Sequence, residues 1–391
     1  MKVAIIGAGV GGLACALALS RQRHDVTVFE RAGSIMEIGA GLTLSSNALR
    51  VFDHLGLRDA LDVVAESPGD GLYLHYQTAA LLHSVDRSGS YAATGKAGFF
   101  QAHRSDLLDV LLTAVRAEQS CCVETGRNLV DIEQTPTRVT ARFEAGAEAD
   151  FDIVIGCDGL RSTVREKLVG AGRPRFTGQV AFRCLVDASA AASHMSAGSS
   201  AMFIGPGAFF NRYYVRNRAL VNCIGIAAAD SWREEGWTIP SSVEEFESVF
   251  SGWHTDVVDL VRKVQPDQLF KWALYDRKPL HQSVGGRVAL LGDAAHPMLP
   301  FLAMGAAFAL EDAIILARCL AAHEEATIAL LAYQRSRLHR CGQAILDSRR
   351  QAQLVQSNDP ETYGQRVGKA ELRAKYFDYD AATVELSLEP D

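Results

Sequence analysis

Three short segments of this 391-residue chain hold residues whose types and spacing suit chemistry. The first is Gly7-Ala8-Gly9-Val10-Gly11-Gly12, a G-x-G-x-x-G run. It sits between an apolar, β-branched stretch (residues 2–6) and an apolar helical pattern through Leu13, Cys15, Ala16, Leu17 and Leu19. In that setting Gly7 allows a tight turn, Gly9 lets backbone approach a pyrophosphate, and Gly12 permits close helix–strand packing. The helix start offers unpaired N–H groups and a positive dipole end to phosphates. A second strand pattern, residues 25–30, ends in Glu30. A carboxylate there accepts hydrogen bonds from a ribose 2′-hydroxyl and repels a 2′-phosphate. Arg31, next in the chain, joins it as a candidate cofactor contact. The motif by itself does not separate NAD from FAD.

Two later segments follow the same logic. Residues 151–165 read as a buried strand, a turn holding Asp158-Gly159, and a helix start with Ser162 and Arg165. Residues 286–297 read as an apolar strand ending in Gly292-Asp293. In open α/β sheets ligands bind at the carboxyl ends of strands, where both turns fall.

Together these motifs resemble those of the single-component FAD-dependent aromatic hydroxylases, the monooxygenases with the p-hydroxybenzoate hydroxylase fold. The likeness extends through Gly39-Ala40-Gly41-Leu42, Asn47-Ala48-Leu49-Arg50, Leu55-Gly56-Leu57, residues 103–107 and residues 272–277. It covers most of residues 1–350. Within the family the chain looks most like salicylate hydroxylase, 3-hydroxybenzoate 6-hydroxylase and 6-hydroxynicotinate 3-monooxygenase.

The resemblance implies roles. Asp293 contacts a ribityl hydroxyl of FAD, Arg104 faces the phosphates or ribityl chain, and Asp158 shapes the FAD cleft. Each has a plainer alternative: Asp293 as a helix cap, Arg104 as a surface ion-pair member, Asp158 as a turn residue. No second G-x-G-x-x-G follows a strand, so NADH or NADPH is expected to dock transiently rather than in a domain of its own. The implied reaction is hydroxylation of a small phenolic or aromatic-carboxylate substrate by O2 through a flavin C4a-hydroperoxide.

Such chemistry needs a stabilised reduced flavin, a dry pocket and an activated ring. For the first, the Pro300 loop leads into a helical run. Backbone N–H groups around Ala303, Met304, Gly305 and Ala306 would meet the flavin's pyrimidine edge. The family often has Gly-Gln-Gly where this chain has Ala303-Met304-Gly305. For the second, Phe203, Phe209, Met298 and Phe301 supply apolar bulk. For the third, residues 209–216 read as a strand with Phe209, Asn211 and Tyr213 on one face. Relatives commonly carry a His at the place of Phe209, and Phe takes no proton. Tyr213 can orient a phenol but is a poor base at neutral pH. The catalytic candidates are thus Tyr213, Pro300 and Gly305, with His75 as a substitute base. The pocket candidates are Phe203, Phe209, Asn211, Met298 and Phe301.

The elements that position these residues imply an α/β fold. A Rossmann-like lobe of the glutathione-reductase type is expected from residues 1–70, 98–172 and 278–356. A mostly β substrate lobe, residues 71–97 and 173–277, interleaves with it, and C-terminal helices follow. A single core rarely grows to this length. Residues 311–356 read as helical with an interruption near Gly342. Residues 188–201 read as a mobile loop, and residues 84–90 as a connector. The tail, 357–391, packs on the body or forms a homodimer contact; the sequence leaves both open.

Composition narrows the class. With 48% hydrophobic and 22% charged residues the chain is globular. A net charge of −7 argues against a nucleic-acid partner. Eight cysteines show neither C-x-x-C nor zinc spacing, so free thiols in a reducing cytoplasm and no metal are expected. No stretch has the length and apolarity of a membrane span. Two other readings compete with ring hydroxylation. One is a same-fold epoxidase, oxidative decarboxylase or tailoring oxidoreductase acting on a larger natural product. The other is a non-catalytic FAD-binding protein.

Overall fold

The computed structural model describes residues 1–35, 41–85, 87, 98–170, 172–232, 236, 239–265, 268–367 and 373–387. Gly39 and Ala40 of the family-like segment fall outside them, as does most of the 84–90 connector beyond Val85 and Arg87.

The strand Lys2–Ile6 buries every residue after Lys2. It pairs in parallel with Asp25–Glu30 on one side and Ile153–Gly156 on the other. Cys121–Thr125 and Val288–Leu290 extend the parallel sheet, and Val284–Gly285 closes one edge as an antiparallel hairpin. Strands covered on both faces need near-continuous apolar sequence, which is what these have. One face packs against the helices Val10–Arg21, Arg104–Ala117 and Gly305–Ala322 through Val3, Ile5, Leu13, Leu107, Leu310 and Ile314. An antiparallel meander, Leu129–Gln134, Val139–Phe143 and Glu148–Phe151, covers the other face through Ile6, Phe29, Phe143 and Val154.

The second layer is an eight-stranded sheet. Its order is Ile239–Pro240, Phe270–Asp276, Arg175–Asp187, Leu220–Ala228, Ala208–Val215, Ser200–Gly205, Gly71–His75 and Leu81–Val85. The Ser200–Gly205 strand runs parallel to Gly71–His75; its other neighbour, like the remaining pairs, is antiparallel. The helices Val243–Val249 and Thr255–Val261 cover one face, with Phe182, Phe203, Phe210, Phe246 and Phe250 between. The other face turns toward the parallel-sheet body, where Ile204, Phe209, Ile226 and Trp272 meet Leu299, Phe301, Val355 and Tyr363. A small sheet of Gly41–Ser45, Phe99–His103 and Ala65–Glu66 lies between the layers.

Two sequence expectations need correction. The helix Ala326–Val355 runs through Gly342 without a break. A single glycine costs a helix interior only about 1 kcal/mol, which tertiary packing overrides. Residues 188–201 form a loop only over 195–199: Ala188–Ala191 is helical, Ala192–His194 a 3₁₀ turn, and Ser200 opens a strand.

The C-terminal segment packs on the body. The carbonyls of Lys375 and Tyr376 accept from Arg340, that of Phe377 from Ser46 and Arg50, and those of Ala381 and Val384 from Arg318. All eight cysteines are free, with Cys121 half-buried and Cys122 exposed. Among the described residues no helix is long and apolar enough to cross a membrane.

Candidate active site

The glycine loop is built by close contacts. Gly7 has φ +108°, and a Cβ there would fall 2.4 Å from the Cys157 carbonyl oxygen. A Cβ on Gly12 would fall 2.0 Å from the Gly7 carbonyl oxygen. Both positions exclude any side chain. A Cβ on Gly9 would meet no protein atom within 4 Å, so its backbone is open to close approach by a ligand. The helix Val10–Arg21 has no side-chain cap. Its first N–H groups therefore suit a diphosphate.

Glu30 does something its sequence context did not reveal. Its carboxylate accepts from the Ala8 N–H at 3.0 Å and the Ala32 N–H at 2.9 Å, pinning the glycine loop to the end of its strand. An ionised carboxylate has about four acceptor sites, so a ribose hydroxyl can still be accommodated. Arg31 is exposed just beyond, and Arg104 is exposed at the first turn of Arg104–Ala117.

Asp158 is a capping residue. It accepts from the Ser162 hydroxyl at 2.5 Å and from the Thr163 and Val164 N–H groups at 2.7 and 3.1 Å. Burial raises its pKa, and these donors pull it back. Ser162 accepts from the Arg165 N–H. The Arg165 guanidinium donates to the Ala294 and Ala295 carbonyls at 2.9 and 3.0 Å, tying the second motif to the third. Burial and then Arg277 lower the Arg165 pKa to about 10, which leaves it charged at neutral pH.

Asp293 projects, exposed, from the 3₁₀ turn Gly292–Ala294 and caps neither that turn nor the helix Gly305–Ala322. Asp312 holds the turn from beneath. Its carboxylate accepts from the Gly292 N–H at 2.9 Å, contacts His296 Nε2 at 2.5 Å and accepts from Arg337 Nε at 2.6 Å. Burial would raise the Asp312 pKa, but His296 and Arg337 outweigh it and hold the value near 2, at about 2. Burial opposes a charge on His296, yet Cys341 and Asp312 raise its pKa well above the usual imidazole value. Adjacent Glu311 pairs with Arg337 and Arg340 and accepts from Asn47. The ligand atoms of His296, Asp312 and Cys341 lie within 4.8 Å of one another. A guanidinium on the same carboxylate disfavours a metal cation there, and we read the group as an ion-pair network.

The loop before the helix Gly305–Ala322 is a 3₁₀ turn, Pro300–Leu302, followed by Ala303 at φ +54°. A left-handed alanine costs roughly 1–2 kcal/mol. Met304 turns inward and is 1% exposed, packing with Phe308 and Tyr376 and receiving the Ser45 hydroxyl. Its side chain is thus spent on packing. Gly305 begins the helix and Ala306 follows, with no side chain capping their N–H groups.

Of the expected pocket residues, Phe209, Asn211 and Tyr213 share the inward face of their strand, and Phe209 meets Phe301 with ring centroids 5.3 Å apart. Phe203 is a correction. It pairs with Phe210 across the ladder and lies on the helix-covered face. Alternation gives the inward face to Met202 and Ile204 instead. Met298 is partly buried and packs against the cluster of Met304, Phe308 and Tyr376.

Tyr213 is buried where the layers meet. A Cβ on Gly41 would fall 2.7 Å from its hydroxyl oxygen, and Asn222 accepts the Gly41 N–H at 2.7 Å. Burial pushes the Tyr213 pKa up while Arg87 pulls against it, so the phenol is neutral. His75, the substitute base for the substrate, has other partners in this structure. Its Nε2 faces Glu361 at 3.1 Å, and its Nδ1 accepts from backbone N–H groups at 3.3 and 3.4 Å. It pairs with Ile204 while Tyr213 pairs with Ser200, four residues along the strand. That separation is roughly 13 Å. The sequence reading missed Arg87, Tyr73, Asn222 and Tyr363, all of which stand near Tyr213 or the inward face. A lone arginine in a polar run carries no local signal.

A glycine loop at the carboxyl end of a parallel sheet, with helices on one face and a meander on the other, defines a dinucleotide-binding oxidoreductase. Residues 1–348 match the FAD binding domain family. The chain is 33% identical to 3-amino-4-hydroxybenzoate 2-monooxygenase of Streptomyces platensis over 87% of its own length and 84% of that protein's. It is 31% identical to 6-hydroxynicotinate 3-monooxygenase of Pseudomonas fluorescens, covering 92% and 93%. Its structure superposes on a salicylate hydroxylase substrate complex with a TM-score of 0.83 at 27% identity, covering 97% and 96%. The chain belongs to the FAD binding domain family. It is a flavoprotein monooxygenase of the aromatic-hydroxylase group, with FAD as its cofactor.

Proposed function

We propose that this enzyme hydroxylates a small aromatic ring bearing a hydroxyl and a carboxylate, using O2 and transient NADH or NADPH in the cytoplasm. The observation that carries this reading is the buried, neutral Tyr213 hydroxyl against Gly41, on the sheet face turned toward the FAD-binding body. When bound, the flavin takes electrons from the nicotinamide and activates oxygen for transfer to the ring. Gly7, Gly9, Gly12 and the uncapped helix they precede would hold its diphosphate. Glu30, with Arg31 beyond it, would serve the ribose end, Asp293 and Arg104 the ribityl chain, and Asp158 the cleft wall.

The remaining residues shape the reaction. The Pro300 turn fixes the start of the next helix, and the N–H groups of Gly305 and Ala306 favour negative charge before it. Phe209 and Phe301 exclude water. Tyr213 hydrogen-bonds the ring hydroxyl and orients it without taking its proton. Because Phe209 offers no base, rings already enriched by an amino or second hydroxyl group suit this site best.

NADH or NADPH oxidation by the FAD-loaded protein tests this with salicylate, 3-hydroxybenzoate, 6-hydroxynicotinate and 3-amino-4-hydroxybenzoate. The expected result is faster oxidation and a product carrying one added oxygen. Neither effect with any of them sinks the substrate class. The Phe209–Phe301 contact, which places no base on this face, favours a second reading: oxygenation of a larger natural product, detectable as an epoxide or a lost carboxyl group.

A further inference from the structure

We propose that residues 375–377 of the C-terminal segment are a positioning element of the FAD site: Tyr376 braces the Pro300–Gly305 loop from behind, and Phe377 joins that loop to the small sheet between the layers. The inference rests on FAD as the cofactor and needs no particular substrate. The segment lies beyond residues 1–348, the part that matches the family, so that likeness gives it no role. The need for a brace is local. Ala303 has φ +54°, and a non-glycine residue keeps such a conformation only where its surroundings enforce it. Met304, next in the chain, is the anchor. Its side chain is buried in one cluster with Phe308 and Tyr376. Tyr376 is itself 1% exposed, and its ring centroid stands 5.8 Å from that of Phe308. The Ser45 hydroxyl also donates to the Met304 sulfur, at 3.3 Å.

Tyr376 is fixed in its turn. Its hydroxyl donates to Asp347 Oδ2 at 2.6 Å, and the Lys375 ammonium pairs with the same oxygen at 2.5 Å. Arg340 donates to the Lys375 and Tyr376 carbonyls at 2.6 and 3.2 Å, and to Glu311 of the helix Gly305–Ala322 at 2.8 and 2.9 Å. The Phe377 carbonyl accepts from Ser46 and Arg50, each at 2.6 Å, on the helix Ser46–His54. That helix directly follows the strand Gly41–Ser45. The Phe377 ring packs against the Met304 cluster and meets Phe99 of the small sheet edge-on, with centroids 5.2 Å apart. The segment thus bridges two walls, the strand that carries Gly41 and the loop that opens the helix at Gly305. The Gly305 and Ala306 N–H groups favour negative charge before that helix only if the loop holds them in place. A brace on the loop therefore acts on how tightly reduced, negatively charged flavin binds relative to oxidised flavin.

The test is the two-electron midpoint potential of the flavin in FAD-loaded, full-length protein, titrated against reference dyes without substrate. Tyr376→Ala is expected to bind reduced flavin about tenfold less well relative to oxidised flavin, which lowers the potential by about 30 mV. Tyr376→Phe keeps the ring and loses only the Asp347 hydrogen bond, so its ratio should stay near that of wild type. Phe377→Ala, at a half-buried position, should shift the ratio the same way and carries the test if Tyr376→Ala does not fold. Phe246→Leu, in the core on the helix-covered face of the eight-stranded sheet, should lower the melting temperature and leave the potential alone. That control separates bracing of the loop from general loss of stability. The proposal is overturned if Tyr376→Ala and Phe377→Ala keep the wild-type potential, even with FAD more weakly held, or if Phe246→Leu shifts it as far as they do.

Discussion

The Tyr213 hydroxyl lies 2.7 Å from where a Cβ would stand on Gly41, so a residue of the eight-stranded sheet rests directly on backbone of the strand next to the FAD-binding body. The Asn222 side chain accepts the Gly41 N–H and locks the same contact. Position 41 therefore sets how far the phenol reaches, although it carries no side chain.

Gly41→Ala should displace Tyr213 and Asn222 by steric contact alone. We expect FAD to be retained and substrate hydroxylation to fall by about a hundredfold, the scale for a small misplacement of a reacting group. Stopped-flow measurement of oxygen transfer beside FAD content checks this. Full turnover would mean that the seam tolerates a shift.

Tyr213→Phe removes the hydroxyl and keeps the packing. Hydroxylation should slow by about ten- to a hundredfold while flavin reduction by NAD(P)H changes little. Equal loss in both half-reactions, or in neither, would reassign Tyr213 to packing.

Asp293→Ala should release FAD from a protein that still folds, because the side chain is exposed and caps no helix. A colourless, cooperatively melting variant is expected. Full flavin content after dialysis argues against the ribityl assignment.

Asp312→Asn tests the network under that turn. Breaking a buried pair costs about 3–5 kcal/mol, since Arg337 and His296 lose their counter-charge. The Asp312 pKa is depressed to about 2 in the fold. Its contribution is therefore present above the ordinary carboxylate pKa and is lost as pH falls toward 2. The His296 pKa is raised, so its contribution is complete below the ordinary imidazole value and fades as pH rises through the folded one. Denaturant melts from pH 2 to 7 should bring wild type and variant together only at the acid end. A constant gap would show that charge is not the cause.

Local patterns were legible because their physics is local. Strand, glycine turn and helix start follow one another within a dozen residues, and Gly7 and Gly12 are glycines for reasons visible in their spacing. Phe203 was misplaced for the opposite reason. Alternation fixes the faces within one strand, but which face a neighbour shares depends on register, here Phe203 opposite Phe210. Asp158 and Glu30 stood out in the sequence as candidates, yet their hydrogen bonds to nearby backbone show only in three dimensions. Arg87 carried no signal because Gly71 and Ser200, both of which it meets, are brought together only by the order of the strands.

The parallel sheet also carries a timetable. Lys2–Ile6 lies at its heart, yet its neighbour Ile153–Gly156 and that strand's own neighbour Val288–Leu290 come far later in the chain. At ribosomal rates of about 5–20 residues per second, the glycine loop waits roughly 15–60 s for the last of these to be made. Until Ile153–Gly156 is made the first strand has an open edge, and from then until Val288–Leu290 arrives the open edge is that of Ile153–Gly156, a hazard for pairing with other chains. The sheet is therefore complete only once synthesis has passed the Gly292 turn.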